Sequence, residues 1–179
     1  MPRLTQISDS EAAPAAADLF AAIKTKVGMV PNLYRVAASQ PATLSGLLAL
    51  TGENDKGAFD AQTRDAIALA VAGANKCDYC ASAHSAISAS LKVDQAEIAS
   101  RLRGESNDPR IQAILTLAVT IVEKRGLLAD ADLAAARDAG LTDADIVETV
   151  GHVAQNIFTN YLNHIAQTDI DFPVVNVAA

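Results

Sequence analysis

Nowhere in this chain do apolar and polar residues alternate with the period of two that a half-buried β-strand requires. Apolar positions recur instead at helical spacing, most clearly at Ile111, Ile114, Leu115, Ala118, Ile121 and Val122. Alanine dominates and tryptophan is absent. Alanine is the strongest helix former, and small side chains let helices approach closely. The chain is therefore read as an all-α, single-domain multi-helix bundle over residues 1–179, half of them apolar. A chain of that length can bury a real core.

Caps and breakers divide the sequence into helices. The first is expected over Asp9–Lys26, stopped by Gly28, with Val30-Pro31-Asn32 as a turn. A short helix follows at Leu33–Ser39, and Pro41 opens another over Pro41–Glu53. Asn54-Asp55-Lys56-Gly57 is a loop, and Asp60 caps a helix over Ala61–Ala74. The next helix runs over Asp78–Ser90, and Asp94-Gln95-Ala96-Glu97 reads as a capping box for a short one ending near Gly104. Asp108 caps a helix beginning at Pro109, and Asp130–Ala139 stops at Gly140. Thr142 opens the last long helix, with Asp143 and Asp145 in a first turn where the dipole favours negative charge. The tail Asp171–Ala179 contains Pro173 and is expected to be extended.

The net charge of −7 comes from 14 basic and 21 acidic residues, and no basic cluster occurs, which argues against nucleic-acid binding. The longest purely apolar run, Ala66–Ala72, is too short to cross a bilayer. Met1–Asp9 carries no hydrophobic signal core, so a cytoplasmic location is expected. Thiols stay reduced there, and a close cysteine pair is then more often catalytic or metal-binding than a structural staple.

The only two cysteines stand in Cys77-Asp78-Tyr79-Cys80-Ala81-Ser82-Ala83-His84, a C-x-x-C-x-x-x-H run. Residues three and four apart share a helix face, so two thiols and a base fall on one stripe. A helix start supplies a dipole and unpaired N–H groups that favour a thiolate at Cys77 and Cys80. His84, one turn past Cys80, can take its proton. A thiolate that attacks a peroxide becomes a sulfenic acid, and a neighbouring thiol condenses with it to a disulfide. Cys80 is assigned as the attacking thiol because Cys77 lies two turns from His84; Cys77 then resolves.

Two other readings compete. The three side chains can be inert core packing, or three ligands of a zinc site completed by His152 or His164. Structural zinc pairs usually sit on knuckle loops, whereas this pattern enters a helix directly. The assignment made from the residues is a redox dithiol with no metal and no cofactor.

The last helix has its own oddity. From Gly151 to Ala166 there is no Lys, Arg, Asp or Glu, while His152, Gln155, Asn156, Thr159, Asn160, Asn163 and His164 are polar. An uncharged polar stripe fits a buried, hydrogen-bonded setting such as an active-site wall or a subunit interface. His152 is read as an ordinary interior histidine.

The run from Thr63 to Val71, followed by Asn75-Lys76-Cys77-Asp78-Tyr79-Cys80 and His84, resembles the alkylhydroperoxidase D-like proteins of the carboxymuconolactone decarboxylase superfamily. Asn156–His164, Ile170–Pro173 and Val30-Pro31-Asn32 resemble its peroxidase-related subgroup. The resemblance implies the all-α fold of the alkylhydroperoxidase D-like type and a thiol-dependent hydroperoxide reductase. It also implies recycling by a dithiol electron donor, in the best-known members a lipoyl-bearing adaptor protein, and a homo-oligomer, trimer or hexamer. It agrees with Cys80 as attacking thiol, Cys77 as its partner and His84 as the motif histidine.

The resemblance further assigns a proton-relay acid twelve residues before the first cysteine, usually glutamate and here Asp65. The side chain is one methylene shorter, so a longer relay with an added water is expected. The residues alone leave Asp65 open between a relay member bordering an apolar face and a solvated carboxylate in the first helical turn. Tyr79 stands where some members carry histidine, which removes a proton carrier and leaves a ring that packs beside the thiols. Asn160 and His164, one turn apart, are placed behind the site or at an interface. Two other functions are kept: a cofactor-free lactone decarboxylase, which needs no dithiol, and a zinc-binding or redox-sensing interaction protein.

Overall fold

The computed structural model describes Met1–Val177, and among those residues it contains nine helices and no strand. They are α1 Pro14–Val27, α2 Asn32–Ala37, α3 Pro41–Asn54, α4 Ala61–Ala74, α5 Asp78–Ser90, α6 Gln95–Leu102, α7 Pro109–Lys124, α8 Asp130–Asp138 and α9 Asp143–Ala166. The all-α expectation holds.

Helix α4 is the axle of the bundle, packed by α5, α6, α7 and α9. Every residue from Asp65 to Ala72 is buried. A helix apolar all round has to lie inside, and the alanines in it keep the surrounding helices close. Ile67, Leu69 and Val71 are fully buried, each worth about 1.5–3 kcal/mol relative to exposure. Gly73, near the end of α4, marks the closest approach: a Cβ there would lie 1.8 Å from the Leu102 carbonyl oxygen at the end of α6.

Several caps are the expected ones. Asp60 accepts from the Thr63 N–H at 2.8 Å, and Asp108 accepts from Arg110 and Ile111. Thr142 and Asp145 form a reciprocal capping box at the start of α9. Two expectations need correction. The first helix starts at Pro14, not Asp9, because Ser8 and Glu11 bond each other in a separate turn. Asp94 does cap α6, but Glu97 does not reach back to it. Its carboxylate binds Arg101, Ser106 and Asn107 and so anchors the loop before α7.

Between α4 and α5 the chain turns through Lys76, at φ 55°. The tail beyond α9 runs extended along α5, as far as it is described. Asp171 accepts from Tyr79 Oη at 2.8 Å and from the Asn32 N–H at 2.8 Å. Val175 N–H donates to Ser82 Oγ, and Val177 N–H to Asp78 Oδ1. Ala178 and Ala179, the end of the expected extended tail, lie outside the described residues.

Candidate active site

Three helices converge on the cysteines. Helix α4 brings Asp65, α5 brings Cys77, Cys80 and His84, and α9 brings Asn160, Asn163 and His164. Cys77 is not within the helix but is its N-cap, with extended backbone, and its sulfur accepts from the Cys80 N–H at 3.3 Å. The unpaired N–H groups at the helix start therefore serve Cys77 rather than both thiols. Both cysteines are free and buried, with their sulfurs 2.7 Å apart.

The thiols are not equivalent. Hydrogen bonding to Cys80, together with burial, pushes the Cys77 thiol far up, so Cys77 keeps its proton. Cys80 is lowered to about 7, first by the hydrogen bond from Cys77; burial opposes this, while Asn163, the charge of His84 and Asn160 assist. Asn163 Nδ2 donates to Cys80 Sγ at 3.3 Å. An amide N–H pointed at a buried sulfur favours its anion. Asn160 Nδ2 has no hydrogen-bond partner and assists from just outside bonding geometry. Cys80 takes its hydrogen bonds from Cys77 and Asn163, and His84 bears on it through charge.

Asp65 is buried and meets His84 directly, Oδ1 to Nδ1 at 2.6 Å. The expected intervening water is not needed: α4 and α5 pack closely enough for the shorter side chain. Ser88, one turn beyond His84, donates to Oδ2 of Asp65 and fixes its orientation. Burial works against an imidazolium at His84. The hydrogen bond and charge of Asp65, with Cys80, outweigh it and raise the histidine above its ordinary value. The solvated reading of Asp65 is excluded by its burial.

The remaining candidates hold the frame. Tyr79 is buried, accepts from the Leu33 N–H, donates to Asp171 and meets Phe172 edge-on. It locks the tail over α5. Asn160 Oδ1 accepts from Asn75 Nδ2 at 3.0 Å, and His164 Nε2 donates to the Asn75 carbonyl at 2.9 Å. The two thereby clamp the turn that presents Cys77. His164 is held on that carbonyl and His84 on Asp65. Among the described residues no three His, Cys, Asp or Glu are grouped to hold a metal.

A cavity of about 530 Å³ opens onto the site. Cys80, His84 and Asp65 line one part of it, and Cys77 does not. Apolar side chains from α1 and α3, among them Ile23, Leu47 and Leu48, also line it. His152, Gln155, Asn156 and Thr159 of the charge-free stripe also face it, so that stripe is a cavity wall. Asn163 was visible in the sequence only as one member of that stripe. Its signal was the spacing of Asn156, Asn160 and Asn163 on one helical face.

A family model described as the carboxymuconolactone decarboxylase family matches residues 41–106. A search of curated protein sequences returns no match. Among solved structures, a peroxidase-related protein of Ralstonia eutropha with an alkylhydroperoxidase core superposes with a TM-score of 0.84 at 21% identity, over 95% of this chain and 92% of its own. A peroxidase-related protein of Silicibacter sp. gives 0.80 at 23% identity, over 93% and 89%. The debrominase Bmp8, in complex with 2,3,4-tribromopyrrole, gives 0.79 at 18% identity, over 94% and 91%. The segment that carries Asp65, the dithiol and His84 matches the carboxymuconolactone decarboxylase family model, and over nearly the whole chain the fold is that of the peroxidase-related structures.

Proposed function

We infer that this protein is an enzyme, a thiol-dependent hydroperoxide reductase. The observation that carries the reading is the asymmetry of the dithiol. Cys80 alone faces the cavity and is lowered to about 7, while Cys77 touches it from behind and keeps its proton. The Cys80 thiolate attacks the outer peroxide oxygen, the O–O bond breaks, and the alkoxide leaves with a proton that His84 is placed to supply. Cys80 is now a sulfenic acid. The Cys77 thiol attacks its sulfur, a disulfide forms and water departs. Asp65 steadies the imidazolium throughout. A dithiol donor, for which a lipoyl-bearing adaptor is the proposed candidate, then reduces the disulfide.

The same reading includes assembly as a trimer or hexamer. Val147, Val150, Phe158, Tyr161 and Ile165 form an exposed apolar edge on α9 that a second copy would cover. No helix among the described residues is long and apolar enough to cross a membrane.

The test is consumption of hydroperoxide by the reduced, metal-free protein beside Cys80→Ser. Wild type consuming about one equivalent and forming the Cys77–Cys80 disulfide, with the variant inert, supports the reading. An inert wild type whose thiols stay reduced overturns it and brings forward the lactone decarboxylase. A second reading, reductive removal of halogen from an aromatic ring, is favoured by the apolar cavity at Cys80 and by the fold shared with a debrominase. There the thiolate takes the halogen, the ring takes a proton, and Cys77 expels halide as the disulfide closes. Bromide release from 2,3,4-tribromopyrrole would decide for it.

A further inference from the structure

The cavity is much longer than a hydrogen peroxide molecule. Asn163, which touches Cys80, and His152 lie on the same helix eleven residues apart, about 16 Å along its axis. His152 lines the cavity, is only 3% exposed, and has an Nε2 with no hydrogen-bond partner. Glu148 Oε1 stands off at 3.9 Å, and the Glu148 carboxylate is already committed to the Ala58 and Phe59 N–H groups. A buried polar group left unpaired is costly unless something completes it.

The same end is rich in donors. Lys26, Arg64 and Tyr34 line it beside His152. Two carboxylates share this end: Asp55, paired with Lys26 at 2.8 Å and with Arg64 at 3.5 Å, and Glu148, held by the Ala58 and Phe59 N–H groups. Two cations and two carboxylates balance here, so this end offers a ligand hydrogen-bond donors rather than net charge. Much of the remaining lining is apolar, with Ile23, Leu47, Leu48 and Ala68.

We propose that the cavity is a two-ended substrate site. It takes an organic hydroperoxide with an apolar body, its peroxide at Cys80 and a carboxylate at the far end, held by His152, Arg64 and Lys26. The proposal rests on the hydroperoxide reading only for the chemistry at Cys80; recognition at the far end is a binding property. An apolar body gains affinity from the apolar lining, and the carboxylate meets the unpaired Nε2 of His152 with the Lys26 and Arg64 cations beside it. Hydrogen peroxide reaches only one end and gains nothing from the other.

The experiment has two arms. In the first, octanoate and methyl octanoate are titrated calorimetrically into the reduced protein and into His152→Leu, Arg64→Gln and Lys26→Met. Octanoate binding the wild type at least tenfold more tightly than its ester, with the margin narrowing in the variants, is the expected result. Lys26→Met changes an exposed side chain and reads the charge even if a buried variant fails to fold. Equal binding of acid and ester, or no binding of either, overturns the proposal. In the second arm, kcat/KM is compared for ω-hydroperoxyoctanoate, its methyl ester and hydrogen peroxide. The acid is expected to be the best of the three, and hydrogen peroxide matching or exceeding it overturns the proposal. If none is consumed, the peroxidase reading falls, and the octanoate titration alone decides the distal site.

Discussion

Asp65 Oδ1 and His84 Nδ1 stand 2.6 Å apart across the α4–α5 interface, with the carboxylate buried. An acid in that position fixes the imidazole and favours its charged form. Asp65→Asn keeps the size and loses the charge. The second-order rate of Cys80 with hydroperoxide is expected to fall about a hundredfold, while the far-ultraviolet spectrum is unchanged. Asp65→Glu is expected to do worse than wild type as well, because the direct contact leaves no room for another methylene. Stopped-flow oxidation of the two variants checks both.

The pH dependence follows from Cys80, lowered to about 7. Below that value the sulfur is a thiol and unreactive; above it the thiolate dominates. The rate of Cys80 oxidation is expected to rise with pH and level off above the midpoint. His84, raised above its ordinary value by Asp65, holds its proton to higher pH than a free imidazole and is placed to supply it to the leaving group. Iodoacetamide alkylation against pH, read at Cys80 by mass spectrometry, gives the midpoint without peroxide.

Asn163→Ala removes the amide that donates to Cys80. A hydrogen bond to a charged group is worth about 1.5–3 kcal/mol, so the alkylation midpoint should climb by about one unit or more. A variant that merely loosened α9 would lower stability without moving the midpoint.

Cys77→Ser leaves the attacking thiol in place and removes its partner. The variant is expected to consume a single equivalent of hydroperoxide and stop as a sulfenic acid that dimedone traps. Sustained turnover in this variant would mean that Cys77 is not the resolving thiol.

Gly73→Ala tests the fold. The new methyl group would meet backbone, the Leu102 carbonyl at 1.8 Å, and neither helix has a flexible side chain to give way. Overpacking costs about 1–3 kcal/mol, with backbone clashes at the upper end or beyond. Chemical denaturation should show that loss, and a stability equal to wild type would mean that α4 and α6 sit farther apart.

Local chemistry carried most of what the sequence revealed. Asp60, Asp108 and Thr142 are caps whose side chains satisfy N–H groups two or three residues away, and a pattern that short is readable. The start of α1 was misread because Ser8 and Glu11 satisfy each other in a turn that imitates a helix start. Glu97 was misread for the opposite reason: its partners Ser106 and Asn107 lie across a loop that the short pattern does not see. In the site, Cys80 and His84 share a helix and were legible from spacing. Asp65, on another helix, was named through resemblance. Asn163 meets Cys80 from 83 positions away, a contact that exists only once α9 packs on α5. The uncharged stripe showed that something polar was buried there, not which amide would touch sulfur.

Gly73 lies two helical turns beyond Asp65 on the same rod, and its contact with Leu102 works like an index pin. A rod seated against backbone at one end has little freedom to rotate about its axis. The azimuth of Asp65, and with it the aim at His84, is set far from any reacting atom. Mutagenesis confined to the cavity would leave that adjustment untouched, and a selection for altered proton delivery should recover changes along the α4–α6 seam.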